Sequence, residues 1–302
     1  MANRKKKGRD VSGILILDKP LNISSNQAVQ RVKRLYDAKK VGHTGSLDPL
    51  ASGVLPICLG HATKVSQYLL ASDKTYQFTM RLGQTTSTGD VEGELVCEKK
   101  NPLIDLDALN QLLDKFTGDI QQIPPMYSAL KHKGQRLYAL ARQGQVVDRP
   151  ARSVKIKSLT LLSRTSDSLT LEACCTKGTY IRTLAEDLGN ALGCGAHVTF
   201  LRRIKTGPFA LAKAVTLEQL ELVQGDFAAL DGLLHSLDMA LQDYPAMSFS
   251  DEDKSYLCLG RKIQVEDVVC EPLIRLNDMN GAIFGLGKWD GDHQLAPVRI
   301  FV

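Results

Sequence analysis

Hydrophobic and polar positions change period several times along this chain, and each change predicts an element. Ser12 to Leu17 is a short apolar run with the length and branching of a buried strand, stopped by Asp18-Lys19-Pro20. Beyond Ser24-Ser25-Asn26 the period becomes helical. Ala28, Val32 and Leu35 share one face and Arg31, Lys33 and Arg34 the other, which predicts a capped helix through Asp37. Val54 to Leu59 reads as a strand, and His61 to Ala71 as a helix with Val65, Tyr68 and Leu69 inward. Lys74 to Leu82 alternates, with Tyr76, Phe78, Met80 and Leu82 on one side, as a half-buried strand does. Gly83 to Asp90 is polar and irregular, and Asp105 to Phe116 is an amphipathic helix. Pro124-Pro125 stops any helix and opens a basic stretch, Met126 to Arg152, with a short helix near Arg136 to Arg142.

The second half continues in the same manner. Ser153 to Leu162 and Ser168 to Cys175 form a hairpin candidate. Lys177-Gly178 breaks it, and Thr179 is predicted to cap a helix through Leu192. Ala196 to Ile204 is a further strand, and Thr216 with Gln219 forms a capping box. After Leu241, Tyr244-Pro245 and Ser248 to Asp251 read as a linker. Short β runs follow at Lys262 to Val265, Leu273 to Leu276, Ala282 to Leu286 and Val298 to Val302, with turns at Met279-Asn280-Gly281 and Asp290-Gly291-Asp292. They predict a small β domain.

One stretch breaks the regular pattern. Gly42 to Gly60 has three glycines and a proline before its apolar run, so it reads as a shaped loop feeding a buried strand. Its single carboxylate, Asp48, lies between Leu47 and Pro49-Leu50. An isolated Asp-Pro is most often a cap or an Asx turn. An acid held among apolar neighbours nevertheless needs a partner or a task. Arg182 is the matching oddity: it falls in the first turn of a helix, where the helix dipole opposes a cation, and a carboxylate from elsewhere would explain it.

Composition narrows the function classes. With 302 residues, 43% hydrophobic and 24% charged, the chain has the make-up of a soluble globular protein with one large domain or two. No apolar run reaches the roughly 20 residues needed to span a bilayer, so no membrane role is expected. Residues 1–10 are basic, lack an apolar segment behind them and are expected to be a disordered tail; a cytoplasmic location follows as the default. Seven scattered cysteines suit a reducing compartment rather than a disulfide framework, and neither they nor the six histidines have metal spacing. The net charge of +5 is concentrated in Arg4–Arg9, Arg31–Lys40, Lys131–Arg152 and Arg202–Lys205. Such clusters suit a polyanion, and Tyr127 and Tyr138 interleave the third in the manner of a nucleic-acid surface. There is no P-loop, because no Lys-Ser/Thr follows the second glycine of Gly83–Gly89, and no nucleophile elbow.

The motifs, taken together, resemble a known family. Gly42-His-Thr-Gly-Ser-Leu-Asp-Pro-Leu-Ala-Ser-Gly-Val-Leu55 closely resembles the signature loop of the bacterial tRNA pseudouridine-55 synthase (TruB) family. Asp18-Lys19-Pro20 with Ser24-Ser25 resembles its first motif. Tyr76 with Leu82-Gly83, Thr86, Thr88-Gly89-Asp90 and Gly93 resembles its second. Gln122 to Lys131, with Gly134, Tyr138 and Ala141-Arg142, is similar to its RNA-gripping insertion, and Lys177-Gly-Thr-Tyr-Ile-Arg182 with Asp187-Leu-Gly189 and Leu201-Arg202-Arg203 to its last motif. The likeness covers residues 12 to about 206 in order. Ser46 and Ser52 stand where the family often has Thr, and Asn22 where Gly is common.

The resemblance implies an α+β, mixed α/β pseudouridine synthase fold with a largely antiparallel mixed sheet at residues 11–246, including the insertion at about 122–152. It also implies a PUA-like RNA-binding domain at 247–302. Asp48 would be the essential carboxylate, paired with Arg182. Tyr76 would stack on the uracil, and Tyr180 and Leu201 would line its pocket. His43 would contact the RNA and help hold the flipped state, and Lys19, Lys131, Arg142 and Arg202 would contact the RNA elsewhere. The implied reaction converts uridine to pseudouridine in the T-loop of tRNA at position 55. The enzyme would be monomeric, with no guide RNA. No cofactor is needed, because the product contains the atoms of the substrate. The pairing with Arg182 would keep Asp48 ionised at neutral pH. Two further readings stand beside this one: an RNA-folding module that acts through T-arm binding, and the same chemistry directed by a guide RNA.

Overall fold

The computed structural model describes residues 8–265, 273–290 and 293–301. Its frame is a mixed sheet whose main path runs Gly13–Lys19, Ala51–Leu59, Ala196–Thr206, Lys74–Leu82, Ser168–Cys175, Arg152–Arg164 and Gly118–Gln122. Along this path every pairing is antiparallel except Ala51–Leu59 with Ala196–Thr206, as expected of a largely antiparallel mixed sheet. The Ala51–Leu59 strand is buried at every position, which explains its unbroken apolar character. Lys74–Leu82 alternates because Phe78, Met80 and Leu82 face a core packed by helices Ser25–Leu35, Leu106–Lys115 and Ile181–Ala191.

The one parallel contact sets the site. Ala51, Ser52 and Gly53 pair with Leu201, Arg202 and Arg203. Gly53 has φ +103°, and a Cβ there would lie 2.2 Å from the Arg203 carbonyl oxygen, so only glycine permits this approach. The segment just before Ala51 is thereby brought against Leu201.

Several expectations need correction. His61 to Ala71 is not one helix but a 3-10 turn, Gly60–Lys64, followed by an α-helix, Ser66–Ala71. The supposedly irregular stretch after Gly83 contains a strand, Gln84–Thr86, paired with Leu95–Glu98. Thr179 does not cap the next helix: its hydroxyl donates to the Thr176 carbonyl, and the helix starts after Tyr180, whose N–H donates to Gln122 Oε1 at 3.0 Å. Residues 1–7 of the expected tail lie outside the described residues. Arg9 is anchored, with Nη2 2.6 Å from Asp231 Oδ2 and its guanidinium 4.0 Å from the Phe227 ring centre.

The supposed linker is also structured. Ala246–Phe249 is a strand, parallel to Ile274–Asp278, and Ser250 caps a helix, Asp251–Cys258. With Ile263–Gln264, Ile283–Trp289 and Gln294–Ile300 these strands form a five-stranded curled β unit. Gly291, Asp292 and Val302 lie outside the described residues. Leu286 and Phe301 of this unit pack with Ile14, Ile16, Val54 and Cys58 of the large sheet, so the two parts share an apolar seam.

Candidate active site

The Asp48 loop is held from both sides. Ser25, the first residue of its helix, receives the Leu47 N–H at 2.7 Å and donates its hydroxyl to the Leu47 carbonyl at 3.0 Å. Asn22, with φ 64°, donates its N–H to the Pro49 carbonyl at 2.9 Å, so the residue that replaces glycine here adopts the left-handed conformation. The Ala51 N–H closes the turn on the Asp48 carbonyl at 3.0 Å. These bonds rigidify the backbone and leave the carboxylate free to point inward.

Its partner is Arg182, whose Nη2 lies 2.9 Å from Asp48 Oδ2. Arg182 is 4% exposed, and both of its terminal nitrogens are engaged. Nη1 lies 3.2 Å from Asp90 Oδ2 and donates to the Thr88 carbonyl at 2.9 Å, while Nη2 also donates to the Tyr127 carbonyl at 2.7 Å. Asp90 is itself buried and accepts from the Thr88 hydroxyl and the Glu92 N–H. A buried charge is tolerated only when paired and hydrogen-bonded, and this one is. The asymmetry between the two acids is informative. Asp90 is sealed, whereas the Asp48 side chain is 44% exposed and opens onto a cavity. Asp90 holds the arginine; the arginine aims Asp48.

That cavity, about 360 Å³, brings together Asp48, Tyr76, Tyr180, Arg182 and Leu201 from four separate parts of the chain. Tyr76 reaches it from the central strand. Burial pushes the phenols of Tyr76 and Tyr180 up, so both are protonated at neutral pH. Leu201 is buried in the sheet core and also forms part of the cavity wall. The result is an acid opening onto a small slot walled by two phenols, Leu201 and buried cations, with the width for a flat ring.

His43 does not line this cavity. It is half-buried on the strand Val41–His43, and its Nδ1 accepts the Gly45 N–H at 3.2 Å, which places its proton on Nε2. Burial, then Arg203, lowers its pKa, so it is neutral. Lys131 and Arg142 are exposed on the insertion, on either side of Tyr138 in sequence, with Arg142 5.8 Å from that ring. Arg202 is partly buried, its Nη2 2.6 Å from Asp18 Oδ2 and its Nη1 donating to Ser52. Lys19 is a correction. It is 0% exposed, and its ammonium donates to the carbonyls of Pro20 and Ile23 at 2.7 and 2.8 Å, so it does not present a charge to RNA. Burial lowers its pKa to about 8, with Asp48 acting the other way.

Three contributors escaped the sequence reading. Asp90 sat within a quoted motif without a role. Arg203, 1% exposed, lines the cavity, donates from Nε to the Val54 carbonyl at 2.7 Å and from Nη2 to the Gly45 carbonyl at 3.1 Å, and its charge opposes the rise that burial imposes on the Tyr76 phenol. Lys74 also lines it. Its ammonium donates to the Leu70 carbonyl at 2.8 Å and to the Ser72 carbonyl, and burial, then Arg203, lowers its pKa to about 8. The only signal available was a charge at an inward position of an alternating strand, as at Lys74. Among the described residues no cluster of His, Cys, Asp and Glu could hold a metal ion.

The model of the "TruB family pseudouridylate synthase (N terminal domain)" matches residues 33–181, and that of the "tRNA pseudouridylate synthase B C-terminal domain" residues 182–242. Curated relatives called tRNA pseudouridine synthase B include one from Pseudomonas aeruginosa (strain UCBPP-PA14), 52% identical over 99% of both chains. Another, from Stutzerimonas stutzeri (strain A1501), is 50% identical over 99% of both chains. Among solved structures, the chain resembles one from a Cbf5–Nop10–Gar1 complex with a TM-score of 0.73 at 25% identity, covering 96% of this chain and 85% of that one. A chain of an archaeal box H/ACA Nop10–Cbf5 complex gives 0.73 at 23% identity, covering 100% and 93%, a likeness of fold.

Proposed function

The chain belongs to the TruB family of pseudouridylate synthases, and from that premise we propose how its cavity isomerises uridine to pseudouridine in tRNA. The target is the T-loop uridine at position 55. The observation that carries the reading is the convergence of Asp48, Tyr76, Tyr180, Arg182 and Leu201 on one cavity, with Asp48 ion-paired and still open to it.

The reaction breaks the C1′–N1 bond, turns the uracil and forms a C1′–C5 bond. A proton leaves C5 and one is gained at N1, so substrate and product have the same composition. The base enters after flipping, at a cost of a few kcal/mol. Tyr76 offers a stacking face, and Tyr180 and Leu201 keep the detached base from escaping. Asp48 acts at the sugar, either adding to C1′ or removing the 2′ proton to give a glycal. A deuterium isotope effect from the 2′ position separates the two routes. Arg182 holds the carboxylate oriented through both.

Lys131 and Arg142 on the insertion supply phosphate contacts, His43 meets the RNA beside the Asp48 loop, and the curled β unit after Ala246 serves as a PUA-like RNA-binding domain. The enzyme works as a cytoplasmic monomer without a guide. The names of the relatives support an isomerase acting on tRNA rather than a purely RNA-folding module. The test is pseudouridine mapping on a transcribed tRNA with pure protein. Conversion at position 55 by the wild type and none by Asp48→Asn is the expected result; activity that survives the substitution, or requires an added guide RNA, overturns the reading.

A further inference from the structure

A second cavity of about 350 Å³ lies beside the first, at the base of the insertion. One wall is Pro124-Pro125, where the insertion leaves the sheet, and Arg149 returns at its far end. The other wall is the helix Ile181–Ala191, through Thr183, Glu186, Asp187 and Asn190. This face is adjacent to the one that carries Arg182, and its centre is roughly 7 Å further along the helix axis.

Two buried donors there are unsatisfied. Thr183 is 6% exposed, and its hydroxyl has no hydrogen-bond partner among the described residues; the same holds for the buried Nε of Arg149. Burial raises both carboxyls, that of Glu186 further through its neighbour Asp187. Buried donors and acceptors without partners are costly, so such a set is a poor structural feature and a good binding one. Its chemistry is selective. A phosphate would meet two carboxylates, and a simple cation would meet Arg149. A ligand with adjacent donors, a nearby acceptor and a flat apolar face fits both walls. Among nucleobases guanine alone has two neighbouring donors, N1–H and N2–H, next to an acceptor, O6. Unpaired bases are commonly read in this way, stacked on a flat face and hydrogen-bonded along the Watson–Crick edge.

We propose that this cavity is a second base subsite that takes an unpaired guanine of the RNA substrate. The Glu186 and Asp187 carboxylates accept from N1–H and N2–H, Arg149 Nε and the Thr183 hydroxyl donate to O6, and the base lies on Pro124-Pro125. The proposal rests on the RNA-modifying function above and adds a specificity site to it. Because the Tyr127 carbonyl, two residues beyond Pro125, accepts from Arg182, a filled subsite also steadies the strut behind Asp48.

The test uses the full chain and T-arm hairpin RNAs in which each unpaired guanosine is replaced in turn by inosine, which lacks only the N2 amino group. Wild-type conversion of the unsubstituted hairpin is measured first, and its absence would count against the function itself. One inosine position is expected to raise KM about tenfold with kcat unchanged, the loss of a single buried hydrogen bond. Thr183→Val, a shape-conserving change, should raise KM for the guanosine RNA by a similar factor without lowering Tm. In Glu186→Gln/Asp187→Asn the inosine penalty should vanish. No inosine-sensitive position, or a penalty that persists undiminished in the double variant, overturns the subsite while leaving the catalytic reading intact.

Discussion

Two sets of cations in this molecule work under opposite conditions. Arg182, Arg203 and Lys74 are buried around the Asp48 cavity and Lys19 is buried nearby, and each donates to carbonyl or carboxylate acceptors. Lys131 and Arg142 stand exposed on the insertion, where no ion pair holds them among the described residues. In the first set desolvation is large, so position is everything and a lost partner is felt throughout the site. In the second, charges remain hydrated and mobile, so they attract a polyanion from a distance and contribute little to the fold. A single sequence-level feature, a basic residue, thus covers two physical roles that only burial separates.

Substitutions can break that division. The largest effect is expected for Asp48→Asn, with a loss of at least about a thousandfold in pseudouridine formation, the scale on which removal of an essential group acts. Stability should change little, because Asp90 and the Thr88 and Tyr127 carbonyls still hold Arg182. Next comes Arg182→Met, which leaves Asp90 buried without its cation. Loss of one partner of a buried pair costs about 3–5 kcal/mol, readable by urea denaturation, and single-turnover rates should fall in parallel. A stability loss under about 1 kcal/mol would move Arg182 out of the buried set.

Lys131→Ala/Arg142→Ala should act differently. Affinity should weaken for every RNA tested, and the slope of log affinity against log salt should become shallower by somewhat under two for two phosphate contacts, with kcat at saturating RNA and Tm unchanged. An unaltered salt slope would remove the insertion from the RNA-contacting set. The smallest effect concerns pH. Lys74 titrates at about 8 in the folded chain against 10.5 when free. Between those values the unfolded chain binds more protons, so this group makes stability rise with pH across that window, and below about pH 8 its burial cost is present in full. Lys74→Met should flatten the rise in Tm between pH 8 and 10; an unchanged profile would mean that the ammonium is solvated.

Much of the frame was legible locally. The cap at Ser24–Asn26, the capping box at Thr216–Gln219, the alternation of Lys74–Leu82 and the hairpin of Arg152–Arg164 with Ser168–Cys175 all follow from short-range stereochemistry. The failures have a common cause. Ser248 and Phe249 read as a linker because the strand character of Ala246–Phe249 comes from a parallel partner some thirty residues away, Ile274–Asp278. Thr179 read as a cap because nothing nearby announced that the Gln122 amide meets the helix start instead.

The opening oddities, an acid among apolar neighbours and an arginine in the wrong turn, were sequence facts, and motif order tied them to one chemistry. The sequence by itself determined the period of most elements and the family, and it singled out Asp48, Tyr76 and Arg182 as candidates. Tertiary structure decided which charges are sealed: that Asp90 completes the strut, that Arg203 and Lys74 belong to the site and that Lys19 does not face RNA. The reason is that periodicity and propensity are properties of neighbours along the chain. Desolvation depends on neighbours in space, here created by one parallel strand pairing at Gly53 and Arg203.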